Sequence, residues 1–202
     1  MDNVPSLIRP LHYLSSDMLS LGCDKSNTYC IREEMFRYLF NIRLDASDTD
    51  SMTVLETKIQ AKLPLATNST SEVLNGSGRV FCLGPDEWLL EVERYCTEDL
   101  APLLDCHSNK GISFINISHS QVTFSISGLR AVTILQKGST LDFHPRSFPE
   151  STCAQTALGQ ASVLIYRSLF DSSNSSKWSV YVDRSFAEYL WFWLEGAVKE
   201  FI

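Results

Sequence analysis

The chain has 202 residues and a net charge of −7, from 24 acids against 17 bases. A surface built for a phosphate backbone or an anionic bilayer carries a basic excess, so this balance speaks against nucleic acid and membranes as partners. With 44% apolar and 20% charged residues it is no collagen-like, coiled-coil or disordered chain, and it has the length of one domain or two small lobes.

The N-terminal stretch has Asp2 where a secretory leader is basic, and no uninterrupted apolar run. Pro5 and Pro10 punctuate an arm. The expectation is a soluble, cytoplasmic protein. Glu33–Leu44 predicts a turn or two of amphipathic helix, and Asp45–Ser51 a polar loop. Thr53–Ala61 alternates, with Val54, Ile59 and Ala61 among polar neighbours, and so predicts a strand. Thr67–Gly78 is rich in Ser, Thr, Asn and Gly and predicts a loop. Arg79–Leu83 and Glu87–Glu93 predict paired strands joined by Gly84-Pro85-Asp86, because Pro at the first corner of a type I turn has its φ preset.

A helix is expected from Thr97 to about Asp105. Thr97 is placed to cap it, Glu98 and Asp99 favour the positive end of its dipole, and Leu100, Leu103 and Leu104 share a face. Ile112–Ser118 and Val122–Ser127 alternate as strands. A short helix over Ala131–Lys137 follows, with Gly138 as its C′ glycine. Asp142–Gly159 predicts an irregular segment, Ala161–Arg167 a β-branched strand, Leu169–Lys177 a loop and Trp178–Val182 a strand.

The last helix carries the clearest pattern. Ser185-Phe-Ala-Glu188 has the form of a capping box. Phe186, Leu190, Trp193, Ala197 and Phe201 make one apolar stripe, and Ala187, Trp191, Leu194, Val198 and Ile202 a second. One stripe suffices to cover a sheet, so two predict a helix sandwiched either deep inside the subunit or against another protein. Because Trp193 lies in line with Phe186, Leu190, Ala197 and Phe201, the expectation is that Trp193 is core and Trp191 an interface anchor. In all, the order ββα, ββα, ββα predicts an α+β fold with antiparallel or mixed sheets. The units around Leu100 and Leu135 have the form of split β-α-β elements.

The residues form no catalytic, cofactor-binding or metal-ligand pattern, and no such site is expected on this chain. Cys23, Cys30, Cys82, Cys96, Cys106 and Cys153 lack C-x2-C spacing and are expected to be small buried hydrophobes. Cys106 and His107 are adjacent and so diverge on a strand. The remaining histidines are His12, His119 and His144. Gly76-Ser-Gly78 precedes a strand and does not open a helix, so it is no dinucleotide fingerprint. Ser118-His119 is better suited to structural hydrogen bonding than to a nucleophile and its base. Asp86-Glu87 sits at a hairpin corner, where solvated acids are normal. Arg130 and Lys137 are expected to be solvated, and Trp178, Trp191 and Trp193 to anchor a core or an interface. The sequons at Asn68, Asn75, Asn116 and Asn174 are idle without a secretory route. The longest apolar run, Tyr189–Leu194, is too short to cross a bilayer.

Four stretches together resemble the gamma subunit of heterotetrameric sarcosine oxidase. They are Leu83-Gly-Pro-Asp-Glu-Trp-Leu-Leu90; Asn116-Ile-Ser-His119 with Ile126-Ser-Gly-Leu-Arg-Ala131; Lys137-Gly-Ser-Thr-Leu-Asp-Phe-His-Pro145 with Phe148-Pro149 and Cys153-Ala-Gln-Thr156; and Arg184-Ser-Phe-Ala-Glu-Tyr-Leu-Trp191. They run in order over residues 79–200. Asn116 stands where the family motif has an acid, and Leu129 where it has a proline. In the wider family of aminomethyltransferase-like folate-binding domains that acid belongs to ligand handling, so Asn116 speaks against folate binding by this chain.

The resemblance implies an aminomethyltransferase-like fold and a structural role without a redox centre. Residues 79–202 would form the gamma-like region, one compact two-lobed domain with part of the weakly patterned segment 1–75. The partners implied are the alpha, beta and delta subunits. FAD, FMN, NAD, tetrahydrofolate and a zinc would lie on those chains, with none on this one. The enzyme so implied oxidises sarcosine to glycine, hydrogen peroxide and formaldehyde or methylene-tetrahydrofolate. Two alternatives are the equivalent subunit of an N-methyl amino acid dehydrogenase, such as one acting on N-methylglutamate, and a free-standing folate-binding protein of the same fold.

Overall fold

The computed structural model describes residues 11, 20–23, 28–100, 103, 111–168 and 177–201. Its strands form two antiparallel sheets. One sheet has the order β1 (Ser20–Leu21), β2 (Cys30–Glu33), β8 (Gln121–Ser127), β11 (Lys177–Asp183), β10 (Ala161–Ser168), β9 (Thr152–Leu158). The other has the order β4 (Thr70–Val73), β5 (Gly78–Gly84), β6 (Glu87–Val92), β3 (Tyr38–Leu44), β7 (Ile112–Asn116).

Period-2 alternation gives each sheet two apolar faces. In the second sheet Phe40, Ile42, Val80, Trp88 and Leu90 point outward, where Leu55 and Ile59 of α1 (Thr49–Ile59) and Leu100 of α2 (Thr97–Leu100) complete a core. In the first, Phe124, Ile126, Val163, Ile165, Trp178 and Val180 meet α3 (Ala131–Gln136) and α4 (Ala187–Val198). The inner faces stack on one another through Leu39, Phe81 and Leu89 against Cys153, Leu164, Tyr166 and Tyr181. Phe81 is the keystone: its ring meets those of Tyr166 and Tyr181 edge-on, each at 5.4 Å between centroids. Along one margin the sheets are stitched by Cys153 N–H donating to the Asn68 carbonyl at 2.9 Å.

Both expected split units are present. Strands β6 and β7 flank β3, antiparallel to each, with α2 in the connection. Strands β8 and β10 flank β11 in the same way, with α3 and β9 in the connection. The hairpin at Gly84-Pro85-Asp86 also forms, with Cys82 opposite Trp88 and Gly84 opposite Glu87.

Several local expectations are corrected. Thr53–Ala61 is not a strand: Thr53–Ile59 is the body of α1, and Gln60 caps its end. Asp48, inside the expected loop, caps it by accepting from the Asp50 and Ser51 amides, each at 3.2 Å, and Ser51, Leu55 and Ile59 make a buried i, i+4, i+8 stripe. Tyr38–Leu44 is strand β3 because Phe40, Ile42 and Leu44 alternate into the core. Strand β4 lies within the expected loop Thr67–Gly78, and β9 within the expected irregular segment Asp142–Gly159; each is the outermost strand of its sheet, with a mixed pattern.

Gly138 is no left-handed C′ residue. It is glycine because a Cβ there would lie 2.4 Å from the Trp193 ring. Helix α4 begins at Ala187, after a 3-10 turn over Arg184–Phe186, so Ser185 does not occupy the capping position. The expectation for the two tryptophans is corrected. Trp191 is 2% exposed, with its ring 5.8 Å from that of Phe124, whereas Trp193 is partly buried at the rim beside Gly138 and Gly159. The core therefore selects the stripe of Ala187, Trp191, Leu194 and Val198 together with Leu190, and leaves Phe186 42% exposed. Of the helix expected to reach Asp105, Leu104 and Asp105 lie outside the described residues, as do His12, Cys106, His107 and Asn174.

Candidate functional site

The inner faces of the sheets bring polar side chains together. Strand β6 sends Trp88, Leu90 and Val92 outward, which turns Glu87, Leu89 and Glu91 inward. Glu91 is only 7% exposed. Tyr181 Oη, from the opposite sheet, donates to Glu91 Oε2 at 3.0 Å, and Arg37 Nε lies 3.8 Å from Oε1. Burial disfavours the carboxylate and raises the Glu91 pKa, against the opposing pull of Arg37, Arg79 and the Tyr181 hydrogen bond. Burial likewise raises the Tyr181 phenol well above its ordinary value, and the neighbouring Glu91 adds to this.

Around this pair is a cavity of about 230 Å³, lined also by Glu34, Arg37, Arg79 and Lys177. Lys177 Nζ stands 2.5 Å from Glu34 Oε1. Burial pushes the Glu34 carboxyl up, but hydrogen bonds from Lys177 and Ser125 and the charges of Lys177 and Arg37 outweigh it, so its pKa is lowered. The Arg79 guanidinium lies 4.2 Å from the centre of the Tyr166 ring. Two carboxyl groups in one cavity thus have environments that push their pKa values in opposite directions. A second cavity of about 530 Å³ also reaches Tyr181 and is lined by Asn41, Glu87, Gln121, Gln155 and Asp183. Asn41 Nδ2 donates to Glu87 Oε1 at 2.8 Å, and Gln121 Oε1 is buried without a hydrogen-bond partner.

The residues singled out in the sequence lie apart from one another. Ser118 Oγ accepts from the Leu39 amide at 2.9 Å and bonds Asn116 Oδ1 at 2.6 Å. It therefore fixes the crossing from β7 to β8, a structural role. His119 is exposed, its ring 5.5 Å from that of Phe36. Arg43 clamps the hairpin corner, 3.6 Å from Asp86 and 2.7 Å from Glu87. Lys137 is not simply solvated: it pairs with Glu200 at 2.8 Å and donates to the Ala197 carbonyl, closing the C-terminal turn of α4. Arg130 packs over the Phe201 ring. Gly76 has a φ of 89°, and Gly78 lies so close to Glu91 that a Cβ would stand 2.7 Å from its carbonyl oxygen. Trp178 is core, edge-on to Phe143 at 5.3 Å. His144 Nδ1 accepts from the Arg146 amide within its loop.

The expectation that all the cysteines are isolated thiols is corrected by one pair. Cys23 and Cys30 are disulfide-bonded, with Cα atoms 4.3 Å apart, because β1 and β2 fold back on each other as an antiparallel pair. Cys82, Cys96 and Cys153 are buried thiols, as expected. Among the described residues no three His, Cys, Asp or Glu side chains gather as a metal site, and no helix is long and apolar enough to cross a membrane.

Pattern alone missed the Glu91–Tyr181–Arg37 cluster. Its one signal is a glutamate between Leu90 and Val92, which on a single sheet reads as the solvated face.

A family model described as "Sarcosine oxidase, gamma subunit family" matches residues 43–200. The heterotetrameric sarcosine oxidase from Corynebacterium sp. U-96, in complex with pyrrole 2-carboxylate, is similar to this chain at a TM-score of 0.80 and 24% identity, over 96% of this chain and 95% of that chain. The aminomethyltransferase T of the glycine cleavage system from Bartonella henselae is similar at 0.69 and 14% identity, over 95% of this chain and 58% of that one. The expected aminomethyltransferase-like α+β fold is the observed one. No curated protein matches the sequence.

Proposed function

The chain belongs to the sarcosine oxidase gamma subunit family, and from that membership we propose that it is a cytoplasmic structural subunit, assembled with alpha, beta and delta chains that carry the chemistry of sarcosine oxidation. FAD, FMN, NAD, tetrahydrofolate and zinc would be held by those chains. Residues 79–202, with the strands that precede them, would act as one compact unit in the assembly.

The observation that carries this reading is what the polar residues singled out in the sequence do. Ser118 ties a sheet crossing to the Leu39 backbone, Arg43 holds Asp86 and Glu87, and Lys137 closes α4. Each is engaged in holding the fold and is not aimed at a shared reacting centre. Asn116, where the family motif has an acid, accepts from the Ser118 amide at 3.0 Å and so caps its own turn.

The test is co-expression with the flavin-containing chains. The expected result is co-purification at fixed stoichiometry and loss of the assembled enzyme when this chain is omitted. Single His119→Ala and Asp86→Asn variants should leave turnover of the assembled enzyme within about tenfold, a change of only ~1.4 kcal/mol in barrier. Recovery of a fully active, stable enzyme without this chain would refute the proposal.

A further inference from the structure

The Cys23–Cys30 bridge has unusual surroundings for a structural staple. The cysteines are seven residues apart, Cys23 two residues beyond β1 and Cys30 at the start of β2, at the margin of the six-stranded sheet. The bridge joins neither the two sheets nor a helix to a sheet. A short closed loop constrains the unfolded chain less than a long one, so stability is a weak reason for this bond. In a reducing cytoplasm a disulfide of this kind is more often transient than structural.

Arg32 supplies a reason of another sort. Its Nε donates to Cys23 Sγ at 3.2 Å. A guanidinium at that distance favours the thiolate over the thiol, and the thiolate is the nucleophile. Cys23 and Cys30 are both partly exposed, so a small oxidant can reach them. The other described cysteines are buried. Desolvation pushes the Cys153 thiol up to about 12 and raises that of Cys82, which keeps them protonated and inert.

We propose that Cys23 and Cys30 are a peroxide-responsive thiol pair, with Cys23 the attacking sulfur, Arg32 its activating cation and Cys30 the resolving thiol. The Cys23 thiolate attacks one oxygen of hydrogen peroxide. An S–O bond forms, the O–O bond breaks, and hydroxide leaves and is protonated to water. The Cys30 thiolate then attacks the sulfenic sulfur. The S–S bond forms, the S–O bond breaks, and a second water is released. Two thiols lose two electrons in total, and one peroxide is reduced to two waters. In the oxidised state the bridge clamps β1 to β2. In the reduced state backbone pairing holds that margin, Ser20 with Arg32, Leu21 with Ile31 and the β-bridge of Cys23 with Tyr29. The proposal rests on the functional reading above for its cytoplasmic setting and for its source of peroxide, the oxidase reaction of the partner chains.

The experiment uses the full chain, reduced and freed of reductant while folded, then given one equivalent of hydrogen peroxide. Peptide mass spectrometry is expected to find a Cys23–Cys30 disulfide before any other cysteine is oxidised. Cys30→Ser should stop at a Cys23 sulfenic acid, captured by dimedone. Arg32→Gln should slow the reaction about tenfold, because the cation that favours the thiolate is gone. Circular dichroism of each reduced variant checks that it is folded. First oxidation at another cysteine, or an Arg32→Gln rate equal to that of the parent chain, overturns the proposal. Because the peroxide is added as reagent, failure here leaves the subunit reading standing, and a failed assembly test leaves this one standing.

Discussion

Replacing Trp191 by Ala removes an indole that is 2% exposed and packs on Phe124 at the centre of the first core. Truncating a buried aromatic costs ~3–5 kcal/mol, because the lost transfer energy is joined by the cavity left behind. That is a large share of the ~5–15 kcal/mol that holds a domain together. For a chain of this size each kcal/mol shifts the melting temperature by roughly 2–4 °C, so the expected drop is roughly 6–20 °C. Trp193→Ala removes a partly buried ring at the rim and should cost about half as much. The assay is thermal unfolding followed by far-ultraviolet circular dichroism, with urea unfolding as a second probe. The Gly138 contact gives an internal check. Gly138→Ala sets a methyl 2.4 Å from the Trp193 ring and 2.8 Å from the Gly159 amide nitrogen, so it should destabilise the parent chain. The Trp193→Ala background should relieve the ring clash and leave the backbone clash, so the double mutant should be less destabilised than the sum. A Trp193→Ala melting drop equal to or larger than that of Trp191→Ala would refute the assignment of Trp191 to the core.

The buried acid gives a pH prediction with a definite sign. The folded Glu91 pKa is raised above the ordinary glutamate value of 4.5, so its favourable contribution is present below that value and is lost as pH rises through the folded pKa. Glu91→Gln, which stays neutral, should hold its urea midpoint over that rise while the parent chain loses stability; parallel curves would contradict the burial argument. Glu34 is lowered, so its contribution should fade as pH drops, and Glu34→Gln should remove that acid-side loss. Tyr181→Phe deletes one of the hydrogen bonds that link the sheets and should cost ~1 kcal/mol in denaturant unfolding. Asp48→Ala removes the cap of α1 and should cost about 0.5–2 kcal/mol, with Asp48→Ser largely preserving stability.

What could be read from the sequence follows from what each pattern encodes. The strands at Arg79–Leu83, Glu87–Glu93, Val122–Ser127, Ala161–Arg167 and Trp178–Val182 have one fully apolar face, and β-branched or aromatic residues make that face plain. Helix α1 has the sequence pattern of a strand because Val54, Ile59 and Ala61 imitate alternation. The decisive residues are Asp48, whose capping bond lies in apparent loop sequence, and Ser51, which takes an inward position without being apolar. Strands β4 and β9 gave no signal because each pairs with a single neighbour within its sheet, and Thr, Ser and Gln serve there as well as Val or Ile. On α4 two stripes were visible, but choosing between them needed a position that only the partner surface supplies. Gly138 and Gly159 open a notch for Trp193 at the edge, and Phe124 waits for Trp191 in the centre.

The charged cluster was hidden by the same limit in a sharper form. Alternation tells which residues of a strand share a face, and it says nothing of what covers that face. Glu91 lies on one sheet and Tyr181 on the other, 90 residues apart, and each has apolar neighbours directed to its own outer core. On a single sheet open to water both inner faces would be solvated, and a glutamate there would titrate as an ordinary side chain. Stacking the sheets through Phe81, Tyr166 and Leu164 removes that water, and only then does Glu91 need the phenol of Tyr181 and the charge of Arg37. The raised pKa values of Glu91 and Tyr181 are thus a property of the two-layer architecture, whereas Glu34 is lowered by Lys177, Ser125 and Arg37 in spite of burial. A substitution that loosens the Phe81 contact should return Glu91 and Tyr181 toward ordinary values together, even though Phe81 carries no charge.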